Sequence, residues 1–172
     1  MFLQKPNRLL FYFDEGRFGL QSTLTGIWAK KGVPLLVKVK QGYTSFYTYS
    51  AVSPHTGESF SLFLPEVNTD MMNVYLRELS QEFSDKEIMI VMDQAGWHRS
   101  KHLEIPDRIR IEYLSPYSPE LNPVEKLWQW LRQEKTHNKV FEKIDALMDA
   151  LAQGLNNLQE KDMARLCHCS YL

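Results

Sequence analysis

IMIVMD, at residues 88–93, contains the most informative structural pattern of this chain. A continuous run of five apolar residues is typical of a strand that is covered on both faces of a sheet. Asp93 ends the run, and a side chain just past a strand end emerges at the edge of the sheet. The stretch therefore predicts a central strand with helices on the faces of its sheet and a polar site where the strand ends.

Strands are predicted on both sides of this central strand. LLFYF is typical of a strand, predicted over residues 8–13, and IRIEYL at 109–114 alternates apolar with charged residues. Aromatic, Thr and Val residues fill 44–53 and 58–64, and the PHTG between them supplies the Pro and Gly of a reversing turn. These last two segments are expected to form a hairpin packed beside the first strand.

Three helices are also predicted, besides a short one that joins the two central parallel strands. The first begins near Asn68 or Thr69, either of which can cap it, and its apolar residues recur at three- and four-residue spacings. The second is led by Asn-Pro and covers about 122–137, and the third covers about 141–157. The order of elements predicts an α/β fold, in which a mixed sheet of an antiparallel hairpin plus parallel strands carries helices on its faces.

Length, composition and charge set the broad class of protein. The chain has 172 residues, of which 44% are apolar and 24% charged, so a single domain over residues 1–172 is expected. Its formal net charge is −1, from 20 basic and 21 acidic residues, so any DNA binding must come from local patches. No apolar run approaches the ~20 residues of a membrane-spanning helix. We expect a soluble, intracellular protein without a membrane partner.

Two cysteines, Cys167 and Cys169, lie near the end of the chain. A disulfide across one intervening residue would be strained, so reduced thiols are expected. A zinc site that combines them with His168, or with His98 and His102 at i,i+4 spacing, is a weaker alternative because the paired CxxC spacing is absent. The sequence assigns these cysteines no other role.

Three carboxylates stand in settings that suit a metal centre. Asp14 and Asp93 each close an apolar strand, and Glu125 lies in the first turn of the proline-led helix. Divalent metal ions prefer hard oxygen ligands, and a phosphoryl-transfer site needs carboxylates that converge from distant parts of the chain. Each residue also has a structural alternative: the aspartates can form turns, and Glu125 can complete a capping box with Asn122.

The residues around these carboxylates resemble a known family. FYFDEGRFGL (11–20), VMDQAGWHRS (91–100) and LSPYSPELNPVEKLW (114–128) resemble, in this order, the three signature blocks of bacterial insertion-sequence transposases of the mariner superfamily. The third block is the most specific. Gly16 stands where the first block often has alanine, and Gln94 where many relatives have asparagine.

The resemblance implies an RNase H-like fold with a DDE catalytic triad. Asp14, Asp93 and Glu125 match the triad, so the resemblance makes all three catalytic metal ligands, with two Mg²⁺ or Mn²⁺ ions as cofactors. The 31 residues between Asp93 and Glu125 suit bacterial members of the family. The implied activity is phosphodiester cleavage and strand transfer at transposon ends. The alternatives are an RNase H-like nuclease without strand transfer, and an inactive remnant that binds DNA or a transposase partner.

Partners and location follow from the same resemblance. The implied partners are transposon-end and target DNA, with a homodimer as the active form, in the cytoplasm of a bacterium and on its nucleoid when active. The family normally carries helix-turn-helix modules before the catalytic domain, but only 13 residues precede Asp14. We therefore expect DNA-end recognition to come from a separate helix-turn-helix subunit or from a frameshift product.

Other residues near the three blocks are candidates for supporting roles. His98, Glu15 and Glu120 are interpreted as residues that support the metal ligands without being ligands themselves, although the two glutamates could also be surface residues. Trp128 is expected to anchor its helix in the core.

Basic residues that could contact DNA phosphates are Lys38, Lys40, Arg132 and Lys135, followed along the chain by Lys139 and Lys143. A solvated surface is an equally good interpretation of them, because acidic residues are interspersed.

Overall fold

The computed structural model describes residues 7–20, 44–116, 118–137 and 139–169. A five-stranded mixed sheet forms its centre, with the strands in the order β3-β2-β1-β4-β5. The strands are β1 (Arg8–Gly19), β2 (Ser45–Val52), β3 (Ser59–Leu64), β4 (Glu87–Met92) and β5 (Ile109–Tyr113). β1 is antiparallel to β2 and parallel to β4, while β2–β3 is antiparallel and β4–β5 parallel. This topology confirms the predicted mixed sheet.

In the described part of the chain, four α-helices flank the sheet, namely α1 (Thr69–Glu82), α2 (Val124–Leu131), α3 (Ile144–Asn157) and α4 (Glu160–Leu166). The side chain of Asn68 accepts a hydrogen bond from the Met71 amide, which confirms the predicted cap of α1. The predicted second helix changes to a π-helical turn after Leu131, and the third begins three residues later than predicted. No helix in the described ranges is long and apolar enough to cross a membrane.

The hairpin of β2 and β3 forms where the sequence predicts it. Gly57 has a φ of 80°, a left-handed conformation that favours glycine, and its amide donates to the Ser53 carbonyl at 2.8 Å. Residues 21–43, which include the candidate DNA contacts Lys38 and Lys40, lie outside the described residues.

Each face of the sheet carries its own hydrophobic core. On one face α1 packs over the strands, and the buried residues there include Phe11, Phe13, Tyr49, Met72, Tyr75, Leu76, Leu79, Ile88, Ile90 and Met92. The other face is covered by α2, α3 and α4, with Tyr12, Phe18, Val52, Leu127, Trp128, Leu131, Leu147, Leu151 and Met163 buried. The faces alternate along β1, because successive side chains of a strand point to opposite sides of the sheet.

β1 is longer than predicted, which corrects the expected position of Asp14. The strand does not end at Phe13 but continues to Gly19, so Asp14 lies within it and pairs with Ser50 of β2. β2 supports this extension on one side, although the ladder to β4 on the other side ends at the pair Tyr12–Val91. Asp14 and Asp93 each lie two residues past that pair. The two aspartates are therefore level with each other at the carboxyl end of the parallel strands.

Candidate active site

A cleft of about 410 Å³ opens at this end of the sheet. Its lining includes Asp14, Asp93 and Glu125, so the structure brings together the three carboxylates that the sequence singled out. The proline-containing loop after β5 forms a wall, to which Leu114, Ser115, Pro116, Ser118 and Pro119 contribute. The ring of a proline fixes its φ angle, so this wall is stiffer than an ordinary loop.

Asp14 projects from β1 toward the helix α2. The indole Nε1 of Trp128 donates a hydrogen bond of 2.8 Å to its Oδ2. Burial raises the pKa of Asp14 to about 7; the Trp128 hydrogen bond opposes this rise, and the negative charges of Glu15 and Glu125 add to it. A group that carries positive charge into the cleft would therefore favour the ionised form of Asp14.

Asp93 follows the last residue of β4, as predicted, and its side chain is 59% exposed. Its Oδ1 lies 2.7 Å from Nδ1 of His98 and accepts a hydrogen bond of 3.0 Å from the Ala95 amide. The hydrogen bond from His98 lowers the pKa of Asp93 more than its partial burial raises it, and the Ala95 amide and the charge of His98 lower it further. Both hydrogen bonds involve Oδ1, so Oδ2 is the oxygen of Asp93 left for a cation.

His98 is buried between two carboxylates. Its Nδ1 faces Asp93, and its Nε2 lies 2.9 Å from Oε1 of Glu15. Burial alone would lower the pKa of His98, but the hydrogen bonds to Asp93 and Glu15 and the negative charges of these two residues together raise the pKa to about 9. With both ring nitrogens protonated, His98 donates to both carboxylates, and the indole of Trp97 donates separately to Glu15 at 3.0 Å.

Glu125 reaches the cleft because α2 is attached firmly to β1. Asn122 is 6% exposed, and its Nδ2 donates to the Phe13 carbonyl at 2.9 Å while its Oδ1 accepts from the Val124 amide at 3.2 Å. The Asn122 amide itself donates to the Pro119 carbonyl, and not to Glu125 as a capping box requires. The first turn of α2 therefore leaves the Glu125 carboxylate available to the cleft.

The donor set of the cleft suits a hard divalent cation. Carboxylate oxygens are the ligands that Mg²⁺ and Mn²⁺ prefer, and the charge of Glu125 contributes to raising the pKa of Asp14 across the cleft. Within the described residues, no group of three or more His, Cys, Asp or Glu side chains already has the spacing of a metal cage. The carboxylates thus line one cleft but stand apart, with Asp14 hydrogen-bonded to Trp128 and Asp93 to His98.

Other residues that the sequence singled out as supporting residues or DNA contacts lie outside the lining of the cleft. Glu120 is exposed and lines a neighbouring hollow, which it shares with Glu125. Arg132 stacks over the ring of Phe18 at 5.5 Å, and Lys135 lies 6.0 Å from the ring of Trp130. These two cations are partly buried against aromatic rings, which is a structural role that the sequence did not indicate; DNA contact by them stays a prediction.

The alternative zinc site finds no support in the described part of the chain. Cys167 is buried beside Met163, and burial raises the pKa of its thiol to about 12. His98 is engaged by carboxylates on the other face of the sheet, and the 3₁₀ turn Gly96–Arg99 ends before His102. The helical i,i+4 pairing of the two histidines was therefore wrong.

Two residues of the site were not recognised from the sequence as parts of it. Trp128 was expected only to anchor the core, which its 1% exposure confirms, but its indole also holds Asp14. Its i,i+3 spacing from Glu125 could have indicated this, because such residues share one face of a helix. Asn122 was expected as a cap, but its attachment to the Phe13 carbonyl is a contact across 109 residues of sequence that no local pattern reveals.

Comparison with known proteins identifies relatives for most of the chain. Residues 9–148 match the family described as DDE superfamily endonuclease. A protein of Sinorhizobium fredii (strain NBRC 101917 / NGR234), named "Uncharacterized protein y4pE/y4sA", is 35% identical over 116 residues, which are 67% of this chain and 86% of that protein.

Solved structures show the same fold. The crystal structure of the Mos1 strand transfer complex matches with a TM-score of 0.71 at 13% identity, over 92% of this chain and 50% of that one. The Mos1 mariner paired end complex with Mn matches with a TM-score of 0.71 at 14% identity, over 92% and 51%. The chain thus spans about half the length of these solved chains, and the RNase H-like fold expected from the sequence is confirmed.

Proposed function

Because the chain belongs to the DDE superfamily endonucleases, we propose that it is a metal-dependent transposase domain that cleaves and joins DNA strands at transposon ends. The observation that carries this proposal is the convergence of Asp14, Asp93 and Glu125 on one cleft. Three carboxylates from a strand, a strand end and a helix are the donor set that phosphoryl transfer with divalent metal ions requires. The family and the fold support the same activity.

Each residue of the cleft has a proposed part in the chemistry. Asp14, Asp93 and Glu125 bind Mg²⁺ or Mn²⁺, and two such ions would supply Lewis-acid stabilisation of the charge that builds up on the phosphoryl oxygens. Trp128 orients Asp14 through its 2.8 Å hydrogen bond, and His98 orients Asp93 at 2.7 Å. The related Mos1 mariner paired end complex was solved with Mn, which is consistent with this use of metal.

DNA and a second copy of the chain are the proposed partners. The related Mos1 structures are a strand transfer complex and a paired end complex, which supports both partners. A net charge of −1 gives this chain little general attraction to DNA. We therefore propose that a helix-turn-helix module supplies most of the DNA affinity. The proposed location is the cytoplasm of a bacterium.

A cleavage and joining assay tests this function. The full chain, alone and together with any helix-turn-helix protein encoded beside its gene, is incubated with Mg²⁺ or Mn²⁺, a supercoiled target plasmid and labelled DNA that carries the sequences flanking the gene. Cleaved ends that become joined to the plasmid are expected, and Asp93→Asn should abolish them. Asp149→Asn, an exposed position on α3, serves as the matched control and should retain activity.

The other outcomes separate the alternatives. Cleaved ends without joined products would favour a nuclease that does not transfer strands. Product that persists at the wild-type level in Asp93→Asn would contradict the proposed site. DNA binding without any cleavage, with either metal, would favour an inactive remnant.

A further inference from the structure

The neighbouring carboxylates Asp14 and Glu15 are divided between the two faces of the sheet. Asp14 contacts Trp128 of α2, whereas Glu15 contacts His98 on the α1 face, where Phe13 is also buried. The Glu15 side chain is only 7% exposed. A buried carboxylate is tolerated when donors compensate for the water that it has lost. The residues that donate hydrogen bonds to Glu15 therefore indicate which part of the structure this carboxylate supports.

Both donors to Glu15 come from the loop that follows β4. Trp97 Nε1 lies 3.0 Å from Glu15 Oε1, and His98 Nε2 lies 2.9 Å from the same oxygen. This contact with His98 joins residues 83 positions apart in the sequence, so it attaches the loop to the central strand β1. The hydroxyl of Tyr113 on β5 donates to the His98 carbonyl at 2.7 Å and attaches the same residue to a second strand.

His98, which is attached to β1 and β5 in this way, holds the side chain of Asp93. The imidazole is 1% exposed and is held at both ring nitrogens, and its Nδ1 lies 2.7 Å from Oδ1 of Asp93. The Asp93 side chain is 59% exposed on a loop, where an unsupported carboxylate would sample several rotamers. The contact engages Oδ1, so Oδ2 is the oxygen of Asp93 left for a cation in the cleft that Asp93 lines.

We propose that Glu15 is a positioning residue, which acts through His98 to hold the carboxylate of Asp93 in the orientation that binds a metal ion. This inference rests on the proposed function in so far as Asp93 is a metal ligand. Glu15 itself lies on the other side of β1 from Asp14 and acts on the cleft through His98. Residues that orient metal ligands typically change metal affinity by 10–100-fold when they are removed.

Mn²⁺ binding to the purified full chain, followed by electron paramagnetic resonance, tests the proposal. Glu15→Ala should weaken Mn²⁺ binding by about 10-fold or more. Glu15→Gln retains an oxygen of the same reach that can accept from His98, so it should restore part of the affinity. Glu82→Gln is the matched control, because Glu82 is an exposed glutamate at the end of α1 that does not line the cleft. It should bind Mn²⁺ like the wild type.

A metal-free measurement separates positioning from general stability. In an NMR spectrum of ¹⁵N-histidine-labelled protein, the Nδ1 proton of His98 should give a downfield signal because of its hydrogen bond to Asp93. The change of this signal in Asp93→Asn assigns it to His98. Glu15→Ala should weaken or remove this signal, and Glu15→Gln should retain it in part. A variant that melts at a lower temperature but keeps both the signal and the Mn²⁺ affinity would overturn the proposal.

The outcomes also distinguish this proposal from the proposed function. If Asp93→Asn reduces Mn²⁺ binding but Glu15→Ala binds like the wild type, only the positioning role of Glu15 fails. If the wild type binds no Mn²⁺, or if Asp93→Asn binds it equally well, the proposed metal site is wrong. The NMR signal of His98 then still shows whether Glu15 orients Asp93.

Discussion

The indole Nε1 of Trp128 on α2 donates a 2.8 Å hydrogen bond to Oδ2 of Asp14 on β1. This contact joins the core of the helical layer to the floor of the cleft, because the same ring packs edge-on against Phe18. Trp128 therefore serves both as a core residue and as the partner of a candidate metal ligand.

Trp128→Phe should lower both stability and metal affinity. The variant keeps an aromatic ring but removes the N–H, which leaves a partly buried carboxylate without its partner, and we expect the free energy of unfolding to fall by about 2–4 kcal/mol. Denaturant unfolding and Mn²⁺ titration measure the two effects. Trp130→Phe on the same helix is the control, and an equal loss in both variants would contradict a specific role for the Trp128 N–H.

Stability without metal should depend on pH through Asp14. Its pKa is about 7 in the folded chain and 3.8 in the unfolded reference, so the folded state binds more protons between these values. The contribution of Asp14 to stability is then complete below about pH 4 and is lost as the pH rises toward 7. Asp14→Asn should flatten this part of the curve of free energy of unfolding against pH.

Metal binding should show the opposite pH trend. Binding needs the ionised form of Asp14, so the increase in melting temperature that Mn²⁺ causes should grow as the pH rises through about 7. His98, whose pKa is raised to about 9 in the folded chain, adds stability that is lost between about pH 6.5 and 9 whether or not metal is present. Melting temperatures are measured against pH with and without Mn²⁺, and their difference gives the contribution of the metal alone. A difference that shrinks with rising pH would contradict the role of Asp14.

Gly16 should not accept a side chain without a cost. A Cβ atom at this position would lie 2.9 Å from Cδ2 of Trp128, so the ring would have to move. We expect Gly16→Ala to destabilise the fold by about 1–3 kcal/mol in the wild type and by less in the Trp128→Phe background, where the ring is smaller. A double-mutant cycle of unfolding free energies measures the coupling, and strictly additive effects would rule out the predicted steric contact.

Asn122 variants should separate the cap from the attachment to β1. Asn122→Ala loses both hydrogen bonds, to the Phe13 carbonyl and from the Val124 amide, and should cost about 1–3 kcal/mol of stability. Asn122→Asp keeps the acceptor for Val124 but loses the donor to Phe13, so it should retain the helix and still reduce cleavage through a displaced Glu125. Circular dichroism and the cleavage assay distinguish the two, and full activity of Asn122→Asp would show that the attachment is dispensable.

Local patterns predicted most elements because the residues that favour each element lie within it or next to it in the sequence. The hairpin has β-forming residues around a Pro-Gly turn, α1 has a capping asparagine, and β4 is a continuous apolar run. α4 was not predicted, because among its seven residues only Met163 is buried. The extension of β1 beyond Phe13 was missed for a similar reason: it contains Glu15, Gly16 and Arg17 and exists because β2 pairs with it.

The order of most elements, the three carboxylates and the family could all be read from the sequence, because apolar periodicity, turn residues and signature blocks are local properties of the chain. The level positions of Asp14 and Asp93 across two parallel strands, and the contact of Glu15 with Asp93 through His98, are visible only in the folded chain. Strand register and buried hydrogen bonds depend on partners far away in the sequence. Such partners become neighbours only when both faces of the sheet are packed.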